Sequence, residues 1–79
     1  MPRYYFPSWD GDSFVPDEVG VDVGGVEEAR ALATLALAEM ARDILPGSFS
    51  ERVLKMLVTD GEDQPVLELR LTFEIVRDT

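Results

Sequence analysis

The side chains in this sequence that could do chemistry carry oxygen. There is no histidine and no cysteine among the 79 residues, so a Ser-His-Asp relay, a Cys-His pair and a zinc site of the usual nitrogen and sulfur donors are excluded. What remains is carboxylates, the phenols of Tyr4 and Tyr5, the lone lysine Lys55 and scattered hydroxyls, none in a recognisable nucleophile motif. The carboxylates are grouped: Asp10, Asp12, Asp17, Glu18 and Asp22 crowd the first third, and Asp60, Glu62 and Asp63 form a second acidic turn. Several oxygens on a turning backbone are what a hard cation such as calcium selects. The spacing does not follow that chemistry, because Phe14 occupies the next alternate position after Asp10 and Asp12 and no glycine stands in register for an EF-hand loop. Ordinary solvated turns account for both groups. Catalysis by paired carboxylates needs a cleft that a two-layer domain of this size rarely has. The expectation is no catalytic residue, no metal and no cofactor.

Positioning those residues falls to one small domain spanning residues 1–79. A core of this size is marginal unless a disulfide, a metal or a partner chain adds stability. With the first two set aside, oligomerisation is the natural source. An apolar content of 46% and a charged content of 29% fit a folded domain and are too hydrophobic for intrinsic disorder. The net charge of −9 argues against nucleic acid, whose binding requires clustered Lys and Arg. The seven basic residues are scattered, so anionic membranes are equally poor partners. The opening MPRYYFPSWD lacks the apolar run of a signal peptide. The apolar stretch around Ala31 to Ala38 is far short of the roughly 20 residues of a membrane span. A cytoplasmic protein is expected.

Arg3 to Ser8 reads as an aromatic-rich strand, and Asp10-Gly11 as a hairpin turn leading to a return strand at Ser13 to Val15. Pro16, with no N–H to give, places that strand at an edge or ends it there. Val19 to Val23 reads as extended with a bend at Gly20. Gly24-Gly25 introduces a helix from Val26 to Leu45 that carries Glu27 and Glu28 in its first turn, where the helix dipole favours carboxylates. Pro46-Gly47 stops it. A third strand runs from Arg52 to Thr59 and a fourth from Val66 to Val76, where Leu67, Leu69, Leu71, Phe73 and Ile75 alternate with polar residues. The fold class that follows is α+β, two layers in β-β-α-β-β order, a mostly antiparallel sheet covered on one face by one long helix.

At 100° per residue, Val26, Ala29, Ala33, Ala36, Leu37, Met40 and Ile44 form the stripe that should cover the sheet, with Leu32 at its border. The other side of the helix carries Ala31, Thr34, Leu35 and Ala38, small residues that would let a second helix approach, with Leu35 as a knob. Alanine is also simply a good helix former on a solvated surface. In the third strand Leu54, Met56 and Val58 point to one face, while Val53 and Leu57 share the other with Lys55. One helix covers one face only, so Val53 and Leu57, beside Tyr5 and Trp9, are candidates for burial by another chain. Tyr4, Tyr5, Phe6 and Trp9 could stack on nucleobases, but only Arg3 is basic nearby. Gly24-Gly25 has no companion Walker lysine or GxGxxG pattern.

The succession MPRYYF, DGD, PDEVGV, VEEARALATLALAEM and VTDGEDQPVLELRLTF resembles a family of short bacterial proteins classed as a domain of unknown function, over nearly the whole chain. The resemblance rests on the aromatic opening, the Asp-Glu-x-Gly segment at Asp17, Glu18, Val19 and Gly20, and the helix start at Glu28, Ala29 and Arg30. Many members carry histidine where this chain has Pro7, so a role for that histidine does not transfer. The resemblance implies a small α+β fold and no particular activity. A weaker similarity is to HicB-like antitoxin domains, carried by Tyr4-Tyr5-Phe6-Pro7 and by Val26-Glu27-Glu28-Ala29. It implies docking on a toxin, here a basic protein. The expected function is thus a non-catalytic interaction or assembly module, a homodimer first, with antitoxin-like inhibition of a basic partner as the alternative. Its candidate interface residues are Ala31, Thr34, Leu35, Ala38, Tyr5, Trp9, Val53 and Leu57.

Overall fold

A computed structural model of the chain describes residues 2–78. In order, its elements are β1 (Arg3–Tyr4), β2 (Ser8–Asp10), β3 (Ser13–Val15), β4 (Val21–Asp22), helix α1 (Val26–Ile44), β5 (Glu51–Thr59) and β6 (Pro65–Glu74). The fold is α+β. Among the described residues, the strands form a four-stranded antiparallel sheet in the order β3-β2-β5-β6 and a two-stranded antiparallel ladder, β1-β4.

The expected first strand, Arg3 to Ser8, is divided into β1 and β2, which belong to different sheets, and Val21–Asp22 adds a short strand, so among the described residues six strands stand where the β-β-α-β-β order gave four. Tyr5 and Thr59 exchange both backbone hydrogen bonds at 2.9 Å, and the register set there continues through Ser8↔Met56 to Asp10↔Leu54. Pro7 accepts a bond from the Leu57 N–H at 2.9 Å and, lacking its own N–H, returns none, which is why the pairing thins at Phe6 and Pro7. The turn is Gly11-Asp12 rather than Asp10-Gly11, since Asp10 already pairs with Ser13. Gly11 takes φ 59°, the positive angle a two-residue hairpin loop needs at its first position. Pro16 ends β3, an edge strand as expected. The last strand stops at Glu74, short of Val76, although the Ile75 N–H still donates to the Ser50 carbonyl at 2.8 Å.

Helix α1 runs to Ile44, with Leu45 as its C-cap. Its buried side is narrower than the stripe drawn from periodicity. Ala29, Ala33 and Leu37 are buried and Met40, Ala41 and Ile44 pack partly against the core, whereas Val26, Leu32 and Ala36 remain exposed. The reason lies in how far the helix reaches, because it packs mainly on β5 and β6 and leaves the inner side of β3 open. Val15, on that side, is accordingly 53% exposed. The core joins Tyr4 and Val23 from the β1-β4 region to the three helix residues and to Leu54, Met56 and Val58 of β5. Among the described residues, only Leu54 and Val58 are large side chains buried almost completely.

The molecule is long for its mass. Its radius of gyration is 14.0 Å, against about 11.6 Å for a compact chain of this length. Its accessible surface is 5490 Å², against roughly 4800 Å² for a compact protein of this mass. The extra length comes from the β5-β6 hairpin and the segment that follows it.

Candidate interaction surface

Three acidic residues of the first third, Asp10, Asp17 and Asp22, are held by the fold, while Asp12 and Glu18 are exposed. Pro16 turns the chain away from β3, and Asp17, which would otherwise pair with Phe6 through its backbone, reaches back with its side chain. Its Oδ2 accepts the Phe6 N–H at 2.9 Å and its Oδ1 accepts the N–H groups of Val19 and Gly20, each at 3.1 Å. Burial pushes the Asp17 carboxyl up, but the three backbone donors from Gly20, Phe6 and Val19 outweigh it and hold the group below its ordinary value. Gly20 completes the strap. It adopts φ 73°, and a Cβ there would lie 2.8 Å from the Tyr4 carbonyl oxygen and from the Tyr5 ring, so no other residue fits. The Arg3 guanidinium grips Asp22 with two bonds of 3.0 and 3.1 Å and donates to the Val19 carbonyl at 2.6 Å.

The helix start is built the same way. Gly25 offers no side-chain cap, and Glu28 instead folds back past it to accept the Gly24 N–H at 2.8 Å, one residue beyond the N–H that a capping box would bind. Glu27 pairs with Arg30 at 3.1 Å, and Ala29 is fully buried. The Asp17-Glu18-Val19-Gly20 and Glu28-Ala29-Arg30 segments therefore have structural explanations.

Two further acids, Asp10 and Asp60, are engaged. Asp10 pairs with Arg52 at 2.6 Å, and Arg52 lies over the Phe49 ring with its guanidinium carbon 4.3 Å from the centroid. Asp60 closes its loop by accepting the N–H groups of Glu62 at 2.9 Å and Gln64 at 3.0 Å. Asp10 sits opposite Leu54 and Asp60 follows Thr59, which separates them by most of the length of β5, roughly 20 Å. The two acidic turns do not meet. Among the described residues, no three acidic side chains gather in a group that could hold a metal ion.

The uncovered sheet face is where side chains collect without an assigned structural task. The β2-β3 register sets Trp9 opposite Phe14, and their rings stack at 4.8 Å between centroids. The β2-β5 register sets Trp9 opposite Lys55, whose Nζ lies 4.4 Å from the indole centroid. Val53, Lys55 and Leu57 then face Thr72, Arg70 and Glu68 across the β5-β6 ladder. A shallow open depression of about 540 Å³ runs among Trp9, Val53, Lys55, Arg70 and Thr72. Lys55 and Arg70 stand directly opposite each other, a like-charge arrangement that costs stability and is relieved on one side by the indole and on the other by the Glu68 carboxylate, to which Arg70 donates.

The structure thus brings Tyr5, Trp9, Val53 and Leu57 to one face with Lys55, as the sequence suggests, and adds Phe14, Arg70 and Thr72. Phe14 was legible in principle, because a hairpin turn after Asp10 fixes the residue opposite Trp9. The helix residues Ala31, Thr34, Leu35 and Ala38 are exposed on the opposite layer and form a separate surface. They also divide among themselves. Leu35, 58% exposed, borders an apolar groove with Phe6, Val21, Leu32, Ala36 and Met56, while Thr34 turns its hydroxyl to the Arg30 carbonyl at 2.9 Å.

Among the described residues, no helix is long and apolar enough to cross a membrane. Comparison with curated proteins gave no match, and comparison with solved structures gave none. A family model matches residues 3–72, a span that contains the Asp17 strap, the helix start and most of the uncovered face. The chain belongs to the family described as domain of unknown function DUF6894.

Proposed function

We propose that this protein is a non-catalytic association module of the cytoplasm whose first partner is a second copy of itself. One observation carries the reading: the domain exposes more surface than its mass requires, 5490 Å² against roughly 4800 Å², and part of the excess is apolar. Val53 is 44% exposed, Phe14 53% and Leu35 58%, each on a surface that no element of the chain covers. A second chain supplies the burial that this small core lacks. Asp17, Arg3, Glu28 and Asp60 are tied into turns and the helix start, which fits a scaffold rather than an active site.

The test is molar mass by size-exclusion chromatography with light scattering across a dilution series. A mass near twice 8.8 kDa, falling toward the single-chain value on dilution, is the expected result. Leu35→Glu and Val53→Glu separate the surfaces, because each places a charge on one of them without entering the core. The variant that lowers the mass while keeping the native circular dichroism spectrum marks the interface. A second reading, an antitoxin-like inhibitor docking on a basic protein, draws on the net charge of −9. A chain that stays monomeric at every concentration yet captures a basic RNA-cleaving protein would favour it.

A further inference from the structure

We infer that the second copy joins through the free edge of β6, antiparallel to its own counterpart, with the two-fold axis at Leu69, so that Glu68 of each chain faces Arg70 of the other. The inference rests on the self-association reading and assigns it a surface and a register.

The direction of the backbone groups comes first. Tyr5↔Thr59, Pro7↔Leu57 and Gly11↔Val53 bonds commit the odd-numbered residues of β5 to β2, which leaves Arg52, Leu54, Met56 and Val58 to bond β6. Their partners are Phe73, Leu71, Leu69 and Leu67. The alternate residues of β6, from Glu68 through Arg70 and Thr72 to Glu74, therefore aim their N–H and C=O groups away from the sheet. β6 is an outer strand of ten residues, which is long for an edge left unpaired.

Natural sheets guard such edges with charge. Here the guards have both signs. In the register centred on Leu69, Glu68 and Arg70 of one chain meet Arg70 and Glu68 of the other, and Val66 meets Thr72. On the helix side, Leu69 meets its own copy and Leu67 meets Leu71, which is 36% exposed in the single chain. Charges are matched outside and leucines inside. Moving the axis by one residue either way sets Arg70 against Arg70 or Glu68 against Glu68. An axis at Thr72 restores an Arg70–Glu74 match but pairs only the C-terminal half of the strand. Two copies with a net charge of −9 each repel at long range, so local complementarity has to select the contact.

Charge reversal tests it, since Glu68 and Arg70 are exposed and their replacement leaves the core intact. At about 0.15 M ionic strength, Glu68→Arg alone and Arg70→Glu alone should each weaken dimerisation about tenfold or more, from the like-charge pairs set opposite one another twice by symmetry. Combining both changes in one chain should restore the dimer, and mixing the two single variants should give a heterodimer, which an effect confined to the monomer would not produce. A dimer indifferent to Glu68→Arg overturns the register, and if Arg70→Glu alone breaks it the axis lies at Thr72. A dimer indifferent to both overturns the edge assignment while the self-association reading stands. Wild-type chain that is monomeric throughout overturns both.

Discussion

The β1-β4 region and the β5-β6 hairpin solve the same problem in opposite ways. Around β1 and β4 only two residue pairs form the ladder, and side chains do the fastening: Asp17 takes three backbone N–H groups, Arg3 spans Asp22 and Val19, and Glu28 holds Gly24. The hairpin has long backbone pairing from Glu51↔Glu74 to Val58↔Leu67 and little else, with one side of its outer strand unpaired. The first region spends its polar groups internally and has few to offer a partner. The second leaves a full row of backbone groups and a mixed-charge stripe facing solvent. Density of carboxylates, the feature that first suggests ligand chemistry, therefore marks the closed part of this molecule.

That contrast can be broken at its foundation by removing what both regions share. Leu54→Ala hollows the centre of the core and should cost about 3 kcal/mol or more, enough to unfold much of a domain this small; urea denaturation would show a midpoint lowered severely or lost. Gly20→Ala attacks the strap alone. Positive φ and a Cβ 2.8 Å from the Tyr4 carbonyl oxygen should together cost about 2–4 kcal/mol in the same assay. Asp17→Ala strands the Phe6, Val19 and Gly20 N–H groups and should cost about 1–2 kcal/mol, less where water reaches them. The sign of its pH dependence is fixed by a folded-state pKa below the unfolded value: the stabilisation is fully present above the ordinary value of 3.8 and is lost as pH falls through the lower folded value. In the wild type, then, stability should decline on acidification below about pH 4, and Asp17→Asn should flatten that part of the curve. At the other end, Gly61→Ala in the hairpin loop meets no atom within 4 Å and should shift stability by no more than about 0.5 kcal/mol. A large effect there would mean the hairpin loop is as tightly fastened as the strap.

Much of the fold was legible because its signals are local. Period-two alternation from Leu67 to Phe73 marked β6, and the helix from Val26 to Ile44 was marked by its periodicity and by Pro46-Gly47 beyond it. The burial of the helix was over-read at Val26 and Ala36, because periodicity gives the direction of a face and not the width of the sheet beneath it. The Asp17 strap was not legible. Its hydrogen bonds join Asp17 to Phe6 across a turn whose geometry depends on two prolines and a left-handed glycine, so Asp17 read as one of several solvated acids. On the candidate surface, Tyr5, Trp9, Val53 and Leu57 were reachable from alternation alone. Phe14 and Arg70 needed the register between strands, which a one-residue slip would have reversed.

The most direct measurement of the central claim is residue-resolved amide hydrogen exchange at two protein concentrations, one well below and one well above the midpoint of association. Leu67, Leu69 and Leu71, bonded within the sheet, should be protected at both concentrations, and Glu68, Arg70 and Thr72 should gain protection only at the higher one, while the Phe6, Val19 and Gly20 amides held by Asp17 do not change. Fast exchange at Glu68, Arg70 and Thr72 in a sample whose mass is dimeric would contradict it and place the second copy on another surface.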